Sequence, residues 1–89
     1  MKTIEVQIVN RLGLHARAAA RLAQLANRYQ ARITVGRGDS TVDGKSILGL
    51  LTLAAARGST LQVRAVGEDE EQAVAELTTL VHDRFGEES

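Results

Sequence analysis

The chain reads as an α+β fold, a four-stranded sheet with three helices packed on one face. Three observations predict it. Four segments alternate polar and apolar residues with period two, three others carry apolar residues at helical spacing, and they follow one another as βαββαβα. Alternation with a polar face marks half-buried strands, and three helices suffice to cover the apolar face in a two-layer packing. Pattern alone leaves the strand order open, since a ferredoxin-like arrangement yields the same string.

The first strand places Ile4, Val6 and Ile8 inward and Thr3, Glu5 and Gln7 outward. A helix over 16–28 follows, with Ala18, Leu22, Leu25 and Tyr29 on one stripe, arginines 17, 21 and 28 on another and small alanines on the far flank. The second strand points Ala31, Ile33 and Val35 inward, and Gly36-Arg37-Gly38-Asp39 signals a hairpin into a short third strand near 40–43. The second helix, 47–56, buries Ile47, Leu50, Leu51 and Ala54, with Ser46 at its N-cap and Gly58 beyond its end. Leu61, Val63 and Ala65 form the inward set of the fourth strand. The third helix, 70–84, gathers Val74, Leu77 and Val81; Asp69 and Gln72 have the spacing of a capping box, and His82 and Arg84 complement the helix dipole. Residues 86–89 are expected to fray.

Composition narrows the function. The 89 residues are expected to form one domain, 1–89. A chain of this length buries roughly 60–68% of the surface that its unfolded form exposes, so a deep enclosed substrate cleft is not expected. A carrier or binding module suits that size better than a free-standing enzyme. The chain has no Cys and only two aromatics, Tyr29 and Phe85. Thiolate chemistry is excluded, and the exposed strand positions offer no aromatic on which nucleic-acid bases could stack. No apolar run approaches the about 18 residues of a membrane span, and the first residues alternate like a strand rather than a secretory leader. A cytoplasmic location is the expectation, with no cofactor and no metal; His15 and His82 lack the pattern of a third metal ligand. Charge is segregated: residues 1–66 hold ten Lys and Arg against three acids, and residues 67–89 one Arg against eight acids. The basic part suits an anionic ligand or partner.

His15 is the residue best placed for chemistry. It follows the strand–helix break Asn10-Arg11-Leu12-Gly13-Leu14 and so opens the first helix. Free amide N–H groups and the helix dipole favour an anion there. Neutral imidazole is nucleophilic near pH 7, and Arg17, in the same first turn, can neutralise a phosphoryl oxygen. Gly13 is either a required backbone shape or an ordinary loop glycine. Ser46 reads first as a helix cap; a phosphorylation site is a sharper reading compatible with it. Its Gly44-Lys45-Ser46 setting is not a phosphate-binding loop, because Asp39 stands where the first glycine is required. Leu48 lies off the buried stripe as an exposed apolar contact.

The two segments Gly13-Leu14-His15-Ala16-Arg17 and Gly44-Lys45-Ser46-Ile47-Leu48-Gly49-Leu50 resemble the histidine-containing phosphocarrier protein HPr family of the bacterial phosphoenolpyruvate-dependent phosphotransferase system. The resemblance covers the whole chain in length, element order and motif position. It implies an open-faced sandwich with an antiparallel sheet in the order 1-4-2-3. It implies that His15 takes a phosphoryl group at Nδ1 from enzyme I and gives it to a histidine of a IIA-type acceptor, with Arg17 holding the phosphoryl group. It further implies that Ser46 is modified by a kinase in some members, and that Ile47, Leu48 and Leu51 dock partners. Arg21 is added to that docking surface as a cation that draws acidic partner groups. Ala18 occupies a position where the family often has Pro, a substitution shared with its nitrogen-related branch. The expected protein is a monomeric, stoichiometric carrier that acts with partner enzymes. A regulatory module that docks when phosphorylated is the alternative.

Overall fold

The structure is a computed structural model that describes residues 1–89. In chain order its elements are β1 (Lys2–Gln7), α1 (Ala16–Ala26), β2 (Arg32–Arg37), β3 (Ser40–Asp43), α2 (Ile47–Thr52), β4 (Thr60–Val66) and α3 (Glu70–His82), followed by a 3₁₀ turn over Arg84–Gly86. The sheet order is β1-β4-β2-β3 and every pairing is antiparallel. The sandwich and strand order are those that the family resemblance implies.

Register follows the apolar sets. Val6 faces Leu61, Ile4 faces Val63, and Val63 in turn faces Val35. A slip of one residue would turn each set to solvent. Val6, Ile8, Ala31, Ile33, Val35, Leu61, Val63 and Ala65 are buried with residues of the helices in one core. Each large aliphatic side chain so buried contributes about 1.5–3 kcal/mol. Ile4 departs from the expected inward set: it is exposed, although Val6 and Ile8 are not. It lies on β1, an edge strand of the sheet.

The helices differ from the sequence expectation at their ends and on one face. In α1 the expected far-flank alanines Ala19, Ala23 and Ala26 are buried beside Ala18 and Leu22, while Leu25 is only partly covered. Small side chains let this helix lie close to the layer beneath it. α2 stops at Thr52 rather than continuing to 56, because Leu53 turns into the core and Ala54 is left-handed, with φ of 49°. Leu50 is its one buried residue, and Ile47 and Leu51 face outward. α3 lacks the expected capping box. The Asp69 carboxylate instead accepts the backbone N–H groups of Gln30 and Ala31, both at 2.9 Å, tying the start of α3 to the start of β2. Glu70 accepts from the Gly67 N–H in its place, at 3.1 Å.

Candidate functional site

His15 is the N-cap of α1 in an extended conformation, with φ of −78° and ψ of −177°. Its carbonyl accepts the Ala19 N–H at 2.8 Å, and its side chain makes no capping bond. The ring is thus free of the helix, and the amides of Ala16, Arg17 and Ala18, which have no intrahelical acceptor, open beside it. The loop before it is built to hold this position. Gly13 has φ of 68°, and a Cβ there would lie 2.6 Å from the Ala55 carbonyl oxygen. The close approach lets the next residue, Leu14, donate its N–H to that oxygen at 2.8 Å. Of the two sequence readings of Gly13, the required backbone shape is the correct one.

The segment expected to fray is part of the site. After α3 the chain bends through three left-handed residues, Arg84 at 58°, Phe85 at 54° and Gly86 at 80°. Phe85 is fully buried, and its carbonyl accepts a hydrogen bond from Arg21. The bend delivers Glu87 to His15, with the carboxylate Oε2 2.5 Å from the imidazole Nε2. The other oxygen, Oε1, accepts from Asn10 Nδ2 at 2.9 Å. Asn10 is wholly buried, and the same nitrogen donates to the Gly13 carbonyl at 2.8 Å. Ser89 accepts the Arg11 N–H at 3.0 Å. Burial works to raise the Glu87 pKa. The hydrogen bonds from Asn10 and His15, with the charges of His15 and Arg17, outweigh it and hold the carboxyl below the ordinary glutamate value.

Arg11, Leu12, Arg17, Glu87 and Ser89 line a shallow hollow at this end of α1. Arg21 lies one helical turn beyond Arg17 and holds the 85–86 bend. Ser46 caps α2, its Oγ accepting the Gly49 N–H at 3.0 Å. α2 packs against α1 and shows Ile47, Leu48 and Leu51 to solvent, with 41%, 76% and 36% of their surface exposed. No hydrogen bond joins Ser46 to His15. His82 lies in the last turn of α3, and no group of three His, Cys, Asp or Glu side chains suited to a metal is present. The broadest hollow on the surface is elsewhere, on the exposed sheet face beside Arg32, Thr34 and Thr41.

Sequence reasoning missed Asn10 and Glu87. Phe85 carried a signal for Glu87: an aromatic residue just past a helix implies an anchor in the core, and an anchored chain does not fray.

A family model described as the PTS HPr component phosphorylation site matches residues 2–83. The chain belongs to the HPr family. Its relatives include the phosphocarrier protein HPr of Pseudomonas aeruginosa, 46% identical over 98% of each chain. HPr of Neisseria meningitidis is 44% identical over 92% of each, and a phosphocarrier protein NPr of Shewanella violacea is 41% identical over 96% of this chain and 93% of that one. Among solved structures, HPr-C-His from Thermoanaerobacter tengcongensis superposes with a TM-score of 0.96 at 38% identity, covering both chains fully. An HPr dimer from the same organism reaches 0.78 at 38% identity, over 98% of this chain and all of that one. HPr proteins are phosphocarriers of the phosphotransferase system, and this chain shares that role. No helix is long and apolar enough to cross a membrane.

Proposed function

We propose that this protein carries its phosphoryl group on His15, accepting it from enzyme I and passing it to a histidine of a IIA-type acceptor. The observation that carries the reading is the place of His15: its ring stands at the N-cap of α1, uncommitted to capping, with Arg17 in the first turn. In the transfer a lone pair of the His15 ring attacks phosphorus, and the phosphorus–nitrogen bond to the donor histidine breaks with its electron pair going to that donor. The phosphoryl oxygens keep their negative charge throughout. The first-turn amides and the Arg17 guanidinium stabilise them by position and field. Handing the group on reverses these steps, so the protein is regenerated unchanged and acts only with its partners. Ile47, Leu48 and Leu51 form the apolar part of the docking surface, with Arg17 and Arg21 beside it. Ser46, at the rim of that surface, is the site of regulatory modification. The working form is a cytoplasmic monomer of one domain.

Incubation with phosphoenolpyruvate and enzyme I, read by intact mass, tests the reading. The parent gains one acid-labile phosphoryl group. His15→Ala gains none and remains folded, losing about 1–3 kcal/mol with the Glu87 contact. Arg17→Ala is still modified, but more slowly. A folded His15→Ala protein that accepts the group as the parent does overturns the assignment.

A further inference from the structure

We propose that Glu87 is a positioning residue for His15: its carboxylate holds the imidazole proton on Nε2 and so leaves the lone pair on Nδ1 as the nucleophile. The inference rests on the reading of His15 as the phosphoryl acceptor.

Both oxygens of Glu87 are engaged, one by His15 Nε2 and the other by Asn10. Asn10 cannot turn its amide over, since both groups that face its Nδ2, the Gly13 carbonyl and the Glu87 carboxylate, are acceptors. The Glu87 side chain is only 11% exposed. An ionised carboxylate only accepts hydrogen bonds, so the ring nitrogen facing it carries a proton. In a neutral imidazole the other nitrogen then holds the free lone pair. The protein supplies no hydrogen-bond partner to His15 Nδ1. Oriented in this way, the ring meets a phosphoryl donor with one nitrogen only. When the bond from Nδ1 to phosphorus forms and the bond to the donor ring nitrogen breaks, no proton has to move. The His15 ring becomes positive, with its Nε2 proton directed at a negative carboxylate.

The backbone supports the assignment. Two L-residues in succession, Arg84 and Phe85, are held left-handed to bring the chain back over α1. Such conformations persist where the surroundings over-determine them. Here the buried Phe85 ring, the Arg21 bond to its carbonyl and the backbone bond from Arg11 to Ser89 do so. What all of these place is the Glu87 carboxylate.

The test uses the full chain with Glu87→Gln, which keeps size and removes charge, and Glu87→Asp, which keeps charge. The parent shows a downfield, slowly exchanging Nε2 proton resonance for His15. In Glu87→Gln that resonance is lost. The rate of phosphoryl acceptance from phosphorylated enzyme I falls by about 10-fold or more in kcat, with little change in KM, while the variant stays folded with a lowered melting temperature. Glu87→Asp recovers part of both signals. A Glu87→Gln protein with the parent resonance, or with the parent kcat, overturns the role of Glu87. A parent that is modified at some residue other than His15 overturns the proposed function instead, so the two failures are told apart by the modified residue.

Discussion

Gly13 and Ala54 lie on neighbouring segments, although 41 positions separate them in the chain. Both adopt positive φ, 68° and 49°, on the two segments joined by the Leu14–Ala55 hydrogen bond. At Gly13 any side chain meets the Ala55 carbonyl, a backbone atom that cannot move aside. Gly13→Ala is therefore expected to cost about 2–4 kcal/mol, seen as a fall in the urea midpoint. It should also displace His15 and slow phosphoryl acceptance in whatever fraction stays folded. Parent stability in that variant would show that the loop relaxes freely. Ala54 is the reverse case, a side chain held where glycine is at ease. The left-handed conformation costs an L-residue about 1–2 kcal/mol, and the greater freedom of glycine in the unfolded chain returns about 0.5–1 kcal/mol of that. Ala54→Gly should raise the urea midpoint by the equivalent of about 0.5–1 kcal/mol. An unchanged or lower midpoint would mean that no strain is stored there.

Between elements, polar contacts fix how the helices meet the sheet. α1 ends at Ala26, and Asn27 donates to the Ala23 carbonyl at 2.8 Å and to the Lys45 carbonyl at 3.0 Å. Lys45 in turn donates to the Tyr29 carbonyl at 2.8 Å. The Tyr29 hydroxyl donates to the Glu76 carboxylate and ties the exit of α1 to α3. Burial first, and then Glu76 by hydrogen bond and by charge, push the Tyr29 pKa from 10.0 up to about 12. A raised folded pKa means that the contribution is fully present below the unfolded value and disappears as pH rises through the folded one. Stability should thus decline between about pH 10 and about pH 12, by at most about 3 kcal/mol from this group. Denaturant titrations across that range should show the decline in the parent, and a shallower one in Tyr29→Phe. Equal slopes would show that Tyr29 ionises as easily in the folded protein as in the unfolded one.

Over the whole molecule, α1 and α2 lie side by side and bring an electrostatic site and an apolar surface to neighbouring positions. His15, Arg17 and the first-turn amides belong to one, and Ile47, Leu48 and Leu51 to the other. Contiguous exposed apolar groups rimmed by polar ones suit a protein contact. A negative charge at Ser46 lies at the rim of that surface. The side chain of Asp caps a helix about as well as that of Ser. Ser46→Asp should accordingly melt within about 0.5 kcal/mol of the parent, while binding enzyme I more weakly. On the proposed reading, the added charge would lose water on docking and would repel acidic partner groups drawn to Arg17 and Arg21. The effect should fall on affinity more than on the transfer step, as read by calorimetry and single-turnover rates. Undiminished affinity would place the docking surface away from α2, and a much lower melting temperature would show that aspartate cannot replace the Ser46 cap.

The order of elements was legible because it depends on local periodicity: Ile33 and Val35, or Leu61 and Val63, declare an inward face within a few residues of themselves. The place of His15 at a helix start was legible for the same reason, since the strand–helix break before it is a local signal. The Ser46 cap was local too, and the Gly49 N–H confirms it. The strand order came from the family resemblance, as the alternating pattern fits more than one pairing. The helix ends and the second half of the site were not legible. Asp69 has the spacing of a helix cap, yet its carboxylate serves Gln30 and Ala31, 39 and 38 positions away. The alanines of α1 look like filler until the layer beneath them is known. Glu87 sits in a polar stretch that reads as loose chain, and Asn10 is one loop residue among several. Their roles arise when Phe85 enters the core and the left-handed bend carries the chain back across the start of α1. Such contacts span 77 residues in the case of Asn10 and Glu87, and no local preference encodes a partner at that distance; it is the closing of the core that brings the two together.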